Sequence, residues 1–352
     1  MTIKARAPLI LAALATLAIA RPALADAVSL QDVSLLDQFN LIDLGNLTTS
    51  SESEGRVFVA GNEYGQMSNV GFNGGLTPSA GGYATLTVDG TVYGSVNVQT
   101  GAITIGGSFG GGNLNNSAGT TSQVGGNVGN LTLNGGALQY GGSVLGNVNT
   151  NGGATTQKVP NLAPGVAAST FAALGNLQGT LEALSGNSTV TIANNTTTFN
   201  AVPNASGQAI FHITAAAFAS GQFQFNANGA TSVIIDVDGA TSINANANFL
   251  GGAAQSLGHN LIWNFNSATS ITVGAEFGGT ILAPGANVTN YASIDGTLVA
   301  ANFNQYGELH SYDFTGSLPD AGSPASAVPE PSAVALLAAG LIGMTFLRRR
   351  KV

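Results

Sequence analysis

The chain has no cysteine in its 352 residues, and only 7% of them are charged. Without thiols there is no disulfide framework, no thiolate metal centre and no lipid-modified cysteine behind a signal peptide. Basic residues are scarce and badly spread. Of nine Lys and Arg, Lys4, Arg6 and Arg21 precede residue 26, and Arg348, Arg349, Arg350 and Lys351 close the chain. Only Arg56 and Lys158 stand between these groups, in the stretch that holds all 17 acidic residues. Nucleic acid is excluded as a partner, because binding phosphates needs a basic footprint. The anionic body suits solubility and contact with cations or amine-bearing surfaces.

Groups for catalysis are equally few. His212, His259 and His310 fall in separate blocks, with no H-x-x-x-H or H-E-x-x-H spacing. His310 stands near Glu308 and Asp313 and reads as a hydrogen-bonded structural histidine. Asp236 and Asp238, in SVIIDVDGAT, point to one face of a strand, where two carboxylates offer either a Ca²⁺ site or a solvated strand end before a turn. The G-G-x-G-x-D repeat of calcium-binding β-rolls is missing. GGSFGGGN (106–113) lacks a following G-K-[ST] and reads as turns, not a phosphate loop. Glu52 and Glu54 read as a solvated loop, with Arg56 as a local partner. This inventory predicts a non-catalytic protein without a cofactor. A carbohydrate-active enzyme with carboxylates on neighbouring coils is the alternative.

What the chain does have is glycine, 49 residues of it, arranged with a period. Asp89-Gly90-Thr91-Val92, Gly106-Gly107-Ser108-Phe109, Gly125-Gly126-Asn127-Val128 and Gly141-Gly142-Ser143-Val144 share one pattern, their second glycines 17, 19 and 16 residues apart. Gly279 and Gly296 are again 17 apart. Alternating runs such as TLTVDGTVYGSVNV (85–98) place Leu86 and Val88 on one face and Thr85 and Thr87 on the other. Short strands at such a period mean one coil per repeat, stacked on its neighbours. The predicted fold is mainly β, a single-stranded β-helix, with a β-sandwich as the alternative. One segment departs from this texture: Phe171, Leu174, Leu177, Leu181 and Leu184 follow helical spacing, predicting a helix over about 167–185 packed alongside the coil. Thr85-x-Thr87 and Thr189-x-Thr191 hint at an ice-binding face, but they do not recur from coil to coil. Tyr64, Tyr83, Tyr93 and Tyr291 are candidate platforms for stacking on sugars.

Both ends read as addresses. Lys4 and Arg6, a 12-residue apolar core (9–20) and Ala23-Leu24-Ala25 make a signal peptide over 1–25, cleaved after Ala25. A body over 26–316 is followed by a Pro/Ser/Ala linker at 317–327. Ser332–Leu347 is uncharged and 16 residues long, about 24 Å as a helix against a hydrocarbon core of about 30 Å. Arg348–Lys351 hold its far end in the cytoplasm. The order Val328-Pro329-Glu330-Pro331, short apolar segment, basic cluster resembles the PEP-CTERM sorting signal of exopolysaccharide-producing Gram-negative bacteria. That resemblance implies recognition of Pro329, Glu330 and Pro331 by an exosortase, a transient membrane stage, and export to the cell surface or extracellular matrix. QFNLIDLGNLTTSSESEGRVFVAGN (38–62) and the stretch 261–316 resemble the choice-of-anchor A domain, an adhesive module of bacterial surface proteins. The closing half is also similar to the β-helix of ice-binding proteins. These resemblances imply a structural or adhesive protein of the surface or biofilm matrix, meeting polysaccharide or another surface. Ice binding is a further alternative.

Overall fold

The computed structural model of the chain describes residues 35–72, 76, 79–116, 119–166, 169–239 and 241–318. The signal segment with Ala23 and Ala25, the linker beyond Leu318, and the sorting segment 328–352 lie outside the described residues. Among the described residues no helix is long and apolar enough to cross a membrane.

The backbone winds as a parallel β-solenoid. Every ladder between described strands is parallel except one terminal hairpin, Thr189–Ala193 with Thr196–Asn200, and this excludes the sandwich. Coil order is not chain order. From Leu41–Asp43 the chain advances through Val57–Val59, Leu86–Val88, Ile103–Ile105, Thr121–Val124 and Ala137–Tyr140 to Thr155–Lys158. The helix Ser169–Glu182 then carries it back along the outside. A second winding starts at Gln208–Thr214 and proceeds through Ser232–Asp238, Leu261–Asn264 and Thr280–Asn290 to Leu298–Gln305. That last coil pairs with the first, Leu41 opposite Leu298 and Leu47 opposite Phe303. Two half-stacks therefore meet at a seam, closed by hydrogen bonds between residues 256 to 260 apart in sequence.

The glycine repeat is a corner. Gly61 N–H donates to Gly45 C=O at 2.6 Å, Gly90 to Gly61 at 2.9 Å, Gly107 to Gly90 at 2.7 Å, Gly126 to Gly107 at 2.7 Å and Gly142 to Gly126 at 2.9 Å. A Cβ on Gly61 or Gly90 would collide with the carbonyl stacked against it, so only glycine lets the coils close to strand spacing there. The residue after each glycine completes the corner. Side-chain oxygens of Asn46, Asn62, Thr91, Ser108 and Asn127 each accept the backbone N–H of the equivalent residue one coil on. The backbone groups that a turn would leave open are thereby satisfied along the axis.

Three faces enclose one apolar lumen. The first face is covered on its outer side as well. Ile42, Phe58, Ile210, Ile234, Ile262, Leu282 and Val299 lie against Phe171, Leu174, Leu177 and Leu181 of the helix. Strands buried on both sides read as continuous apolar runs, as Val233-Ile234-Ile235 and Leu261-Ile262-Trp263 do. Thr87, expected on a solvent side, is buried for the same reason, being in register with Phe58 on this covered face, and Thr85 is buried with its Oγ1 donating to the Thr100 carbonyl. The hairpin turns on Asn194 and Asn195, both at positive φ (49° and 60°), which suits a two-residue turn, and it covers one end of the stack.

Candidate functional site

The outward side chains of the second face are exposed or half-exposed among the described residues, and its register creates an ordered array. Ser242, Ser270, Asn287 and Asn302 stand opposite one another in successive coils, and so do Asn244, Thr272, Thr289, Asn304 and Thr48. Between the two columns Ile243, Ile271, Val288, Phe303 and Leu47 point inward and are buried. Alternation puts the columns about 6.7 Å apart, with about 4.8 Å between coils. Side chains tie the columns along the axis. Asn302 Nδ2 donates to Asn287 Oδ1 at 2.8 Å, and Asn304 Nδ2 to Thr289 Oγ1 at 3.4 Å. The Asn46 N–H, at the edge of the next coil, donates to Asn302 Oδ1 at 2.9 Å. Such cross-bonding fixes rotamers, so hydroxyl and amide groups are held in place before any ligand arrives.

Two tyrosine pairs flank this array. Tyr64, in register with Thr48, stacks on Tyr93 with centroids 5.0 Å apart and planes 7° apart. Tyr291 and Tyr306 follow the strands ending at Asn290 and Gln305 and stack at 5.3 Å and 6°. All four rings are exposed, between 39% and 65%. Tyr83 is different: it is half-buried against Phe39 and Phe171 and offers no platform.

The titratable groups gather elsewhere. Asp236 is fully buried, not a solvated strand end, while Asp238 is exposed. Asn264 Nδ2 donates to Asp236 Oδ1 at 2.6 Å, and His212 Nδ1 lies 3.4 Å from Asp236 Oδ2. Burial and the neighbouring Asp238 carboxylate push the Asp236 pKa up to about 6. His310 does not meet Asp313. Its Nδ1 contacts Asp295 Oδ1 at 2.5 Å and its Nε2 contacts Glu308 Oε2 at 3.0 Å. Desolvation works against the imidazolium, but these carboxylates outweigh it and raise the His310 pKa. Both ring nitrogens are thereby engaged, a structural role. Glu54 accepts the Ser311 N–H, Glu52 accepts from Asn69, and Arg56 is buried with Nη1 on the Gln38 carbonyl and Asp313 nearby.

Asp43 and Glu63 are buried as well, and Asp313 is half-buried. Asp43 accepts the N–H groups of Gly45 and Phe303, yet burial pushes its pKa up to about 7. Glu63 points into the lumen beside Leu47, and burial pushes it up to about 7 against the pull of the Gly94 amide. Burial and Asp37 push Asp313 up to about 7, with Arg56 opposing. Gly106–Gly110 spells G-x-S-x-G, but Ser108 is a corner residue whose Oγ accepts the Asn127 amide. A groove of about 430 Å³ beside the helix, lined by Phe58, Ala60, Phe171 and Pro284, is mostly apolar.

A family model described as an ice-binding-like adhesive domain matches residues 32–128 and 119–311. A second, the PEP-CTERM protein-sorting motif, matches 327–351 and implies processing by an exosortase and export to the surface of a Gram-negative cell. No curated protein sequence matches the chain. Among solved structures, the chain is similar to the crystal structure of an ice-binding protein from an Antarctic Flavobacteriaceae bacterium. Identity is 14%, coverage is 81% of this chain and 99% of that one, and the TM-score of 0.26 is too low to carry an argument.

Proposed function

The chain belongs to the ice-binding-like adhesive domain family, and from that premise we propose a non-catalytic adhesin that holds hydroxyl-rich polymer of the cell surface or biofilm matrix. The observation that carries this reading is the register of the second face. Ser242, Asn244, Ser270, Thr272, Asn287, Thr289, Asn302, Asn304 and Thr48 form a repeating hydrogen-bonding surface. A polysaccharide repeats its hydroxyls in the same manner, and its apolar ring faces suit the exposed tyrosine pairs. Preordered side chains lose little entropy on contact, so many weak bonds add up along a chain.

The test is binding of the purified protein to the producing cell's own exopolysaccharide. Tyr64→Ala with Tyr93→Ala should weaken binding several-fold, in line with about 0.5–1.5 kcal/mol for an aromatic contact. Undiminished binding by that double variant would sink the reading. Delivery rests on the tail: Glu330→Ala, or loss of 348–351, should leave the protein in the membrane fraction.

The same array supports a second reading, adhesion to ice, because a flat, regular set of hydroxyls and amides can order water as well as sugar. Suppression of ice recrystallisation, lost on placing bulky side chains at Thr272 and Thr289, would favour it. Turnover of the polysaccharide would replace both readings with an enzyme.

A further inference from the structure

We propose that His212, Asp236 and Asp238 form a binding site for a divalent transition cation of the zinc type. Asp236 and Asp238 alternate on the strand Ser232–Asp238, so both carboxylates leave one face. The neighbouring coil pairs His212 with Asp236, bringing an imidazole to the same place. One donor atom from each of the three lies within 4.8 Å of the others.

The hydrogen bonds around the cluster decide what it wants. His212 Nε2 is 2.7 Å from the Leu184 carbonyl, which can only accept, so Nε2 carries the proton. In the neutral ring Nδ1 then presents its lone pair toward Asp236 Oδ2, 3.4 Å away. Asp236 is fully buried; Asn264 satisfies its Oδ1, but its Oδ2 has no hydrogen-bond donor. A lone pair and a buried anionic oxygen face each other with a second carboxylate beside them. This arrangement calls for positive charge between them.

The geometry and the donor set narrow the cation. Two ligands about 2.1 Å from a tetrahedral centre stand about 3.4 Å apart, the separation of His212 Nδ1 and Asp236 Oδ2, with all three donor atoms within 4.8 Å of one another. An imidazole with two carboxylates suits zinc and its neighbours, whereas Ca²⁺ takes six to eight oxygens, so the site narrows the Ca²⁺ expectation raised by the two aspartates alone. The outer contacts fit as well. A ligating histidine usually gives its other N–H to a carbonyl, as to Leu184 here, and Asn264 orients the buried carboxylate. Asp238 is exposed and His212 is 32% exposed, so the remaining coordination position opens to solvent. Bound there, the ion would staple two coils and, through His212, the segment that follows the helix.

The experiment uses the full-length protein stripped with a chelator and titrated with Zn²⁺, Co²⁺ and Ca²⁺ by calorimetry and native mass spectrometry. One equivalent of Zn²⁺ should bind, Co²⁺ should give the visible absorption of a four-coordinate centre, and the thermal midpoint should rise with Zn²⁺. Asp238→Asn and His212→Gln should each weaken Zn²⁺ binding about 100-fold or more, since loss of an outer contact alone costs 10–100-fold. His259→Gln, outside the cluster, should change nothing. Because Asp238 is exposed, its variant will fold. No binding, Ca²⁺ bound more tightly than Zn²⁺, or Zn²⁺ binding unaltered by Asp238→Asn would each overturn the proposal.

Discussion

From Leu41 to Lys158 the coils are mostly 16 to 19 residues long, with one of 29, and they close around Val, Leu and Ile. The second half-stack begins with coils of 24 and 28 residues and closes around rings: Phe199, Phe211, Phe218, Phe223, Trp263, Phe265 and Phe277. Aromatic side chains fill the lumen of these longer coils. The extra residues leave the ladder as the short helices Ala215–Phe218 and Ala253–Leu257. One half is thus a thin, repetitive stack, the other a packed body, and the polar array begins on the body and crosses the seam at Thr48.

The contrast is tested most strongly at Trp263. Its ring is fully buried, its Nε1 donates to Gly278 C=O at 2.9 Å, and it meets Phe199 and Phe218 edge-on, Phe265 stacked, and Phe223 and Phe277 tilted. Trp263→Ala should cost about 3–5 kcal/mol, against about 0.5–1.5 kcal/mol for Ile105→Val in the thin half. Denaturant midpoints decide, and equal losses would break the comparison.

Acids with raised pKa values occur in both halves: Asp236, among the aromatic coils, is pushed up to about 6. Glu63 in the thin half and Asp43 and Asp313 at the seam all have pKa values raised to about 7. An acid whose folded pKa lies above its unfolded value binds its proton more tightly in the folded state. The stability that these acids contribute is therefore greatest below about pH 4, where both states are protonated, and is lost as pH rises toward and through 7. Glu63→Gln should remove up to about 3 kcal/mol of that fall. A stability profile from pH 4 to 8 with the same slope in both proteins would place the effect elsewhere.

The coil and its corner were legible in the sequence because Gly90, Gly107, Gly126 and Gly142 carry a backbone requirement that nothing else meets. The helix was legible because Phe171, Leu174, Leu177 and Leu181 cover a whole face. The array was not. Its members are Ser-Ile-Asn, Ser-Ile-Thr, Asn-Val-Thr, Asn-Phe-Asn and Leu-Thr, with no shared letter pattern, and Thr48 lies 256 residues from the Asn304 it pairs with. Register across a seam is set by long-range pairing, which local periodicity does not contain. The burial of Asp236 was hidden for a similar reason: the helix returning past it is remote in sequence.

The seam itself gives the third test. Asn40 Nδ2 donates to the carbonyls of Gly296 at 2.8 Å and His310 at 2.9 Å, and its Oδ1 accepts the Gly55 N–H at 3.2 Å. One side chain thus bonds both half-stacks. Asn40→Ala leaves buried groups without partners and should cost about 2 kcal/mol. Hydrogen exchange should then show the thin half opening below the energy needed to open the aromatic half. Uniform exchange in the variant would mean that the stack behaves as one unit despite its two fillings.

The smallest effect on stability separates the halves most cleanly in function. Thr289 lies in the array and Thr156 in the exposed strand Thr155–Lys158 at the far end of the thin half. Both are threonines on accessible strands, and replacing either by valine keeps shape while removing the hydroxyl. Surface changes of this kind stay within about 0.5 kcal/mol, so both variants should unfold alongside the parent. Binding should part them. One lost hydrogen bond is worth about 1 kcal/mol, so Thr289→Val should weaken polysaccharide binding about five-fold and Thr156→Val not at all. Equal binding by the two variants would move the contact surface off the second face.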